Sequence, residues 1–209
     1  MHPLLLTVAN QLLTSTYSFY LGTQKKTVQF KPIIPSTVGF RVNLGGQQQE
    51  LHRDDNDFHT RSCDWPMIIG CLIAMTCTHK NNGETIVILG SHLWEDEDRV
   101  PQVEEAVPVE LELRDATIFV GNLYHAGGSN TTLDEWRETA GIFMAKELYG
   151  QAENEYLMVP SARCKKLQLS LVELRVLGYG LSPPACGFVK YKDPMESVFR
   201  IIDDETVPI

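Results

Sequence analysis

A strand with a two-residue period leads into the most informative stretch of the chain. From Val38 to Leu44, apolar side chains alternate with small or polar ones, which predicts a half-buried strand. After the Gly45-Gly46 break the chain is expected to be extended again, so that side chains two positions apart point the same way. His52 and Asp54 would then present an imidazole and a carboxylate to one cavity.

Short strands are predicted along most of the chain. Segments that are β-branched or alternate between apolar and polar residues occur at 27–30, 37–44, 67–77, 85–89, 108–113, 117–124 and 137–148. Helices are predicted within residues 1–22 and 161–178, a barrel over 27–150, and a loose tail over 203–209. This pattern predicts a single, mainly β domain over 1–209, and it fits a β-sandwich as well as a jelly roll (double-stranded β-helix).

A second histidine and an arginine favour the jelly roll. His125 is expected to end the strand that begins at Thr117, next to a Gly-rich turn. Arg137 opens the following strand, and a hairpin would return it to the cavity that His125 faces. Two histidines and one carboxylate are typical ligands of non-haem Fe(II) oxygenases. A guanidinium binds carboxylates bidentately, so Arg137 could anchor an oxo-diacid whose other end chelates the iron.

Simpler explanations exist for each residue. A lone H-x-D is most often a charged surface loop, and a lone barrel histidine is most often a satisfied core residue. Arg137 could form a surface ion pair with Glu135 or Glu138. The metal interpretation is favoured because the ligands, the Gly-rich turn and the arginine occur together and in order.

Composition limits the class of protein. The chain has 209 residues and a formal net charge of -9, which argues against a nucleic-acid partner. No apolar run is long enough to span a bilayer, and the start has no signal-peptide pattern. The five cysteines lack C-x-x-C spacing, which favours reduced thiols and a cytoplasmic location.

Three segments resemble the phytanoyl-CoA dioxygenase family, most closely its fungal secondary-metabolite branch. They are Gln49 to Asp55, Asn82 to Trp94 and Gly121 to Asn130. The resemblance implies a cupin-like barrel, Fe(II), 2-oxoglutarate and O2. It also implies oxidation of a hydrophobic polycyclic terpenoid, meroterpenoid or alkaloid by hydrogen abstraction, as in hydroxylation, desaturation or endoperoxidation.

The resemblance also implies site residues by position. His52, Asp54 and His125 match the iron ligands, and Arg137 matches the arginine that binds 2-oxoglutarate. Gln49 and Thr85 match polar residues that contact the co-substrate.

Relatives in this branch have an N-terminal extension before the point where this chain begins. The chain could therefore be a minimal enzyme, a subunit completed by a partner in a heterodimeric oxygenase, or a non-catalytic relative. A cofactor-free isomerase on the same fold is a further alternative. We expect a homodimer, with a heterodimer as the alternative, and a small hydrophobic substrate.

Overall fold

The computed structural model describes residues 2–57, 65–95, 99–183 and 186–201. These residues group into two compact units, unit 1 with residues 1–36 and 144–209, and unit 2 with residues 37–143. The single domain expected from the sequence stays a prediction.

The described parts of the chain contain four α-helices and nine strands, besides short 3-10 helices and a π-helical turn. The helices are α1 (Pro3–Leu13), α2 (Glu155–Met158), α3 (Ser161–Leu167) and α4 (Leu171–Val176). The strands are β1 (Ser15–Leu21), β2 (Gln24–Phe30), β3 (Pro32–Val42), β4 (Ile68–Ala74), β5 (Thr85–Val87), β6 (Val107–Val109), β7 (Ala116–Val120), β8 (His125–Gly127) and β9 (Arg137–Lys146). None of the helices in the described ranges is long and apolar enough to cross a lipid bilayer.

Two sheets form the jelly roll. One has the strand order β3-β9-β4-β7 and the other the order β6-β5-β8, and the pairs β4–β7, β5–β6 and β5–β8 are antiparallel. Strand β4 is almost entirely buried, as its continuous apolar sequence predicts. The predicted mainly β jelly roll with flanking helices is confirmed.

The N-terminal helix is shorter than predicted. It ends at Leu13 rather than near residue 22, and β1 and β2 then form a hairpin in which Ser15 pairs with Phe30. The turn between them uses Gly22 at φ 61°, which a residue without Cβ adopts easily. Aromatic and β-branched residues in β1 favour the strand, and the Tyr17 ring lies 5.3 Å from that of Phe30.

The predicted C-terminal helix over 161–178 is two helices. Gln168 at φ 52° ends α3, and Ser170 and Glu173 form a reciprocal capping box that starts α4. Leu174 packs with Cys164 in a buried cluster of unit 1. The loose tail predicted at 203–209 lies outside the described residues.

The predicted strand from Thr117 to His125 is also interrupted. Strand β7 ends at Val120, the chain turns, and His125 begins the separate strand β8. Gly121 passes so close to Ile68 that a Cβ would lie 2.1 Å from its Cγ2. This close approach redirects the chain, so that His125 lies in the three-stranded sheet rather than beside β4.

Candidate metal and co-substrate site

The two histidines lie opposite each other across a pair of extended segments. His52 N–H donates to the His125 carbonyl, and His125 N–H donates to the His52 carbonyl, both at 2.9 Å. Residues paired in this way carry their side chains on the same face. Asp54 is two positions along from His52 and donates its own N–H to the Gly121 carbonyl at 2.8 Å. The predicted i, i+2 placement of His52 and Asp54 therefore brings both to His125.

The three side chains form one cluster. Asp54 Oδ1 lies 3.8 Å from His52 Nε2 and 3.5 Å from His125 Nε2. One potential ligand atom from each residue lies within 4.8 Å of the other two. The His125 side chain is buried, whereas that of His52 is 38% exposed. The cluster is therefore closed behind His125 and open beside His52.

The main chain orients both imidazoles. His52 Nδ1 lies 2.8 Å from the Glu50 carbonyl oxygen, and His125 Nδ1 lies 3.0 Å from that of Leu123. A carbonyl only accepts, so Nδ1 carries the proton in each neutral ring, which leaves the Nε2 lone pair as the one available to a metal ion.

The electrostatics of the cluster favour one positive charge. Burial lowers the pKa of His125, but the Asp54 carboxylate and the Leu123 carbonyl outweigh it, and the pKa lies above its usual value. Asp54 Oδ2 is buried and has no hydrogen-bond partner among the described residues, which is costly for a carboxylate oxygen. Two imidazole nitrogens and an unsatisfied carboxylate fit a divalent cation.

Phe119 forms a wall of the cluster. Its ring centroid lies 4.7 Å from that of His125, and its partner across the β4–β7 ladder is Gly70. A Cβ on Gly70 would lie 2.5 Å from Phe119 Cζ. Glycine at this position therefore makes room for the ring that packs on the imidazole.

Gln49 lies on the same ladder as the histidines. Its backbone N–H donates to the Gly127 carbonyl at 2.9 Å, and its side-chain Oε1 accepts from the Gly127 N–H at 2.8 Å. The side chain is thus held two residues from His125 in β8, where its amide nitrogen remains as a donor group.

Arg137 is buried and bonds to Thr85. The two residues are 4% and 7% exposed, and Arg137 Nη1 donates to Thr85 Oγ1 at 3.3 Å. The Arg137 Nε has no hydrogen-bond partner within the described part of the chain. Burial lowers the pKa of Arg137, and the carboxylate of Glu84 acts in the opposite direction. A buried guanidinium with an unused donor fits an anionic ligand.

The structure corrects the predicted path to Arg137. Arg137 lies in β9, in the four-stranded sheet, whereas His125 lies in β8 of the other sheet, so the predicted hairpin is wrong. The surface ion pairs considered from the sequence are not the contacts observed. Glu135 lies 2.8 Å from His79, and Glu138 lies 3.6 Å from Arg41.

Sequence reasoning missed three residues around the site, namely Arg53, Glu84 and Phe119. Arg53 is buried although it lies between two site residues in a charged stretch. Glu84 is buried beside Thr85, and its Oε2 has no hydrogen-bond partner in the described ranges. The one feature that could have indicated these three residues is their position, since each is next to a predicted site residue in the sequence or faces one in the structure.

Comparison with known proteins identifies the family. The family model described as phytanoyl-CoA dioxygenase (PhyH) matches residues 2–139. The chain belongs to the phytanoyl-CoA dioxygenase family. "Dioxygenase swnH1" of Metarhizium robertsii is 33% identical over 177 residues, covering 82% of this chain and 57% of the relative. "Dioxygenase peniF" of Penicillium patulum is 33% identical over 208 residues, covering 93% and 65%. These relatives confirm the predicted fungal branch of the family.

The chain matches only part of the length of each relative. The chain spans 57% to 65% of the length of these two fungal dioxygenases. Among solved structures, the nickel complex of the non-heme monooxygenase ThoJ has a TM-score of 0.51 and 21% identity. The match covers 73% of this chain and 54% of that one. This likeness supports the fold.

Proposed function

We propose that this chain is an oxygenase that uses Fe(II) and 2-oxoglutarate, with His52, Asp54 and His125 as the iron ligands. The observation that carries the proposal is the convergence of one ligand atom from each of these side chains within 4.8 Å. Two histidines and one carboxylate leave coordination positions open and suit non-haem Fe(II). Membership of the phytanoyl-CoA dioxygenase family supports the same chemistry.

The protein's part is to hold the ligands in the correct state. His52 and His125 would bind iron through Nε2, because their Nδ1 atoms face main-chain carbonyls. Such outer contacts fix the tautomer and the ring orientation of a metal-binding histidine. Asp54 would supply the negative charge that balances part of the ferrous charge.

We also propose that Arg137 binds the distal carboxylate of 2-oxoglutarate. Thr85 holds the guanidinium from one side, and Gln49 would contact the co-substrate through its amide nitrogen. When bound, iron and 2-oxoglutarate supply the O2-activating chemistry that removes hydrogen from a substrate. The buried Thr85, His125 and Arg137 keep water from this part of the site.

For the substrate we propose a hydrophobic polycyclic secondary metabolite of the terpenoid, meroterpenoid or alkaloid class. The support is the likeness to fungal proteins named as dioxygenases. Hydroxylation, desaturation and endoperoxidation all begin with hydrogen abstraction, so they differ only in how the protein holds the substrate afterwards.

The test is an anaerobic titration of the purified chain with Fe(II) and 2-oxoglutarate. We expect the visible charge-transfer band of iron-chelated 2-oxoglutarate in the wild type. The band should be lost in His52→Ala, and Arg137→Ala should need a higher 2-oxoglutarate concentration to form it. His79→Ala is the matched control, because His79 pairs with Glu135 in the same unit and should leave the band unchanged.

Absence of the band from folded wild-type protein would contradict an independent iron and 2-oxoglutarate site. The partner-dependent subunit would then become the better hypothesis, and light scattering would show whether a second chain is required. A band that survives in His52→Ala would mean that the proposed ligand set is wrong.

A further inference from the structure

Arg53 is a buried arginine between two of the proposed iron ligands. Consecutive residues of an extended chain point to opposite sides, so Arg53 is directed away from the face shared by His52 and Asp54. It is 2% exposed. Its Nη2 donates to the carbonyls of Ser91 at 2.7 Å and Trp94 at 3.0 Å.

The same guanidinium contacts the segment that carries the other histidine. Its central carbon lies 4.2 Å from the centre of the Tyr124 ring, and Tyr124 directly precedes His125. Cation–π contacts of this kind are stronger where water is excluded, as it is around the buried Arg53. Arg53 therefore connects the His52–Asp54 segment to the residue before His125.

The turn that accepts the Arg53 hydrogen bonds also holds the second segment. Ser91 Oγ accepts from the Tyr124 N–H at 2.8 Å, and the His92 carbonyl accepts from Asn122 Nδ2 at 3.1 Å. The turn 91–94 is therefore bonded to Arg53 on one side and to residues 122–124 on the other.

We infer that Arg53 is a positioning residue that sets the spacing between the His52–Asp54 segment and His125 by binding both to the turn 91–94. The inference rests on the proposed metal site, because it assigns a role in aligning those ligands. Lysine cannot replace arginine fully in this role, since its ammonium could donate to the two carbonyls but has no planar face to stack on the Tyr124 ring at the same time.

The expected effect is on metal affinity. Loss of residues that orient metal ligands typically costs about 10- to 100-fold in affinity. We expect Arg53→Lys to weaken Co(II) binding by about that factor, because the charge is kept but the alignment is lost. Arg41→Lys is the matched control. Arg41 also lies over an aromatic ring, 4.9 Å from the centre of Trp136, and its substitution should leave Co(II) affinity unchanged.

The experiment is a Co(II) titration of the full chain, followed by the visible spectrum of the bound ion. Amide hydrogen exchange of the metal-free protein gives a second readout. In Arg53→Lys the Tyr124 N–H, which bonds to Ser91, should exchange faster than in wild type while β4 amides do not. A residue with only a general stabilising role would raise exchange across the whole unit and leave the affinity of the folded protein intact.

The outcomes separate the inference from the proposed function. Wild type that binds no Co(II) and forms no 2-oxoglutarate band would contradict the proposed function itself. Wild type that binds Co(II), with Arg53→Lys binding within about twofold of it, would overturn only the role of Arg53. If Arg53→Lys does not fold, Tyr124→Leu decides, because it removes the ring stacked on Arg53 and keeps the Arg53 side chain with its two hydrogen bonds to the turn. A several-fold loss of affinity supports the inference, and unchanged affinity rejects it.

Discussion

Adding one methyl group at Gly70 should disturb the metal cluster through Phe119. A Cβ at this position would lie 2.5 Å from Phe119 Cζ and 2.9 Å from Cε1, roughly 1 Å closer than carbon atoms normally approach. The ring has little freedom to move, because Phe119 is 8% exposed and its centroid lies 4.7 Å from that of His125. Gly70→Ala should therefore press the ring against a proposed metal ligand.

The magnitude follows from the packing. Overfilling a packed interior costs about 1–3 kcal/mol, so Gly70→Ala should lower the free energy of unfolding by that amount. Each 1.4 kcal/mol of the strain that reaches His125 should weaken Co(II) binding about tenfold. Phe119→Leu alone leaves a small cavity and should cost about 1–2 kcal/mol of stability.

The assay is a double-mutant cycle that measures urea unfolding and Co(II) affinity. Gly70→Ala combined with Phe119→Leu should be more stable than the sum of the single effects predicts, with a coupling of about 1–2 kcal/mol. Gly39→Ala is the control, because no atom lies within 4 Å of a Cβ built there. Additive effects, or Gly70→Ala with wild-type stability and affinity, would refute the steric reasoning.

Two further predictions concern carboxyl groups, that of the buried Glu84 and that of the half-buried Glu147. Glu84→Gln should tighten 2-oxoglutarate binding about fivefold, roughly 1 kcal/mol, because it removes a negative charge that acts on Arg137. Anaerobic titration measures this effect, and an unchanged affinity would exclude Glu84 as a modulator of Arg137. Burial raises the pKa of Glu147 to about 7. The folded state therefore holds the Glu147 proton more tightly than the unfolded state does. As a result, this group makes the protein less stable as pH rises from about 4.5 to 7. The full shift corresponds to roughly 3 kcal/mol, and partial exposure to solvent reduces it to about 1–2 kcal/mol. Urea unfolding should therefore show Glu147→Gln to be more stable than wild type above about pH 7 and equally stable near pH 4. A difference in stability that stays constant across this pH range would contradict the raised pKa of Glu147.

The sequence predicted the grouping of His52, Asp54 and His125, which the structure brings together, because local geometry determines much of it. The i, i+2 relation predicted that His52 and Asp54 lie together, and they do so although Asp54 opens a short 3-10 helix (Asp54–Asp57) whose first N–H bonds to the Gly121 carbonyl. Burial of Arg137 and its bond to Thr85 agree with the roles predicted for both residues, although the roles themselves stay predictions. The sequence did not single out Arg53, because the residues around it resemble an exposed charged loop. Its partners Ser91, Trp94 and Tyr124 are distant in sequence and are brought to it only by the tertiary fold.

The errors in the fold arise where short-range signals compete. Apolar spacing continues past Leu13 into β1, so the pattern alone did not show that the helix ends there. Separate strands were predicted at 27–30 and 37–44, yet β3 begins at Pro32 and runs through Pro35 to Val42. Proline removes one backbone donor, which a strand tolerates where that donor is not needed for the ladder. At the other end of the chain, the Ser170–Glu173 capping box was a readable signal for a new helix.

The position of His125 illustrates what a sequence pattern cannot provide. Strand β8 has three residues, too few for alternation of apolar and polar side chains to specify its register, and a slip by one residue would turn His125 to the opposite face. The register is set from both sides, by His52 on one edge and by β5 on the other, where Val87 pairs with His125 and Thr85 with Gly127. Gly127 allows close approach as well, since a Cβ there would lie 2.9 Å from Gln49 Oε1. The partner strands therefore set the direction of the second histidine. This explains how His125 joins the cluster with His52 and Asp54 although the predicted hairpin around it is wrong.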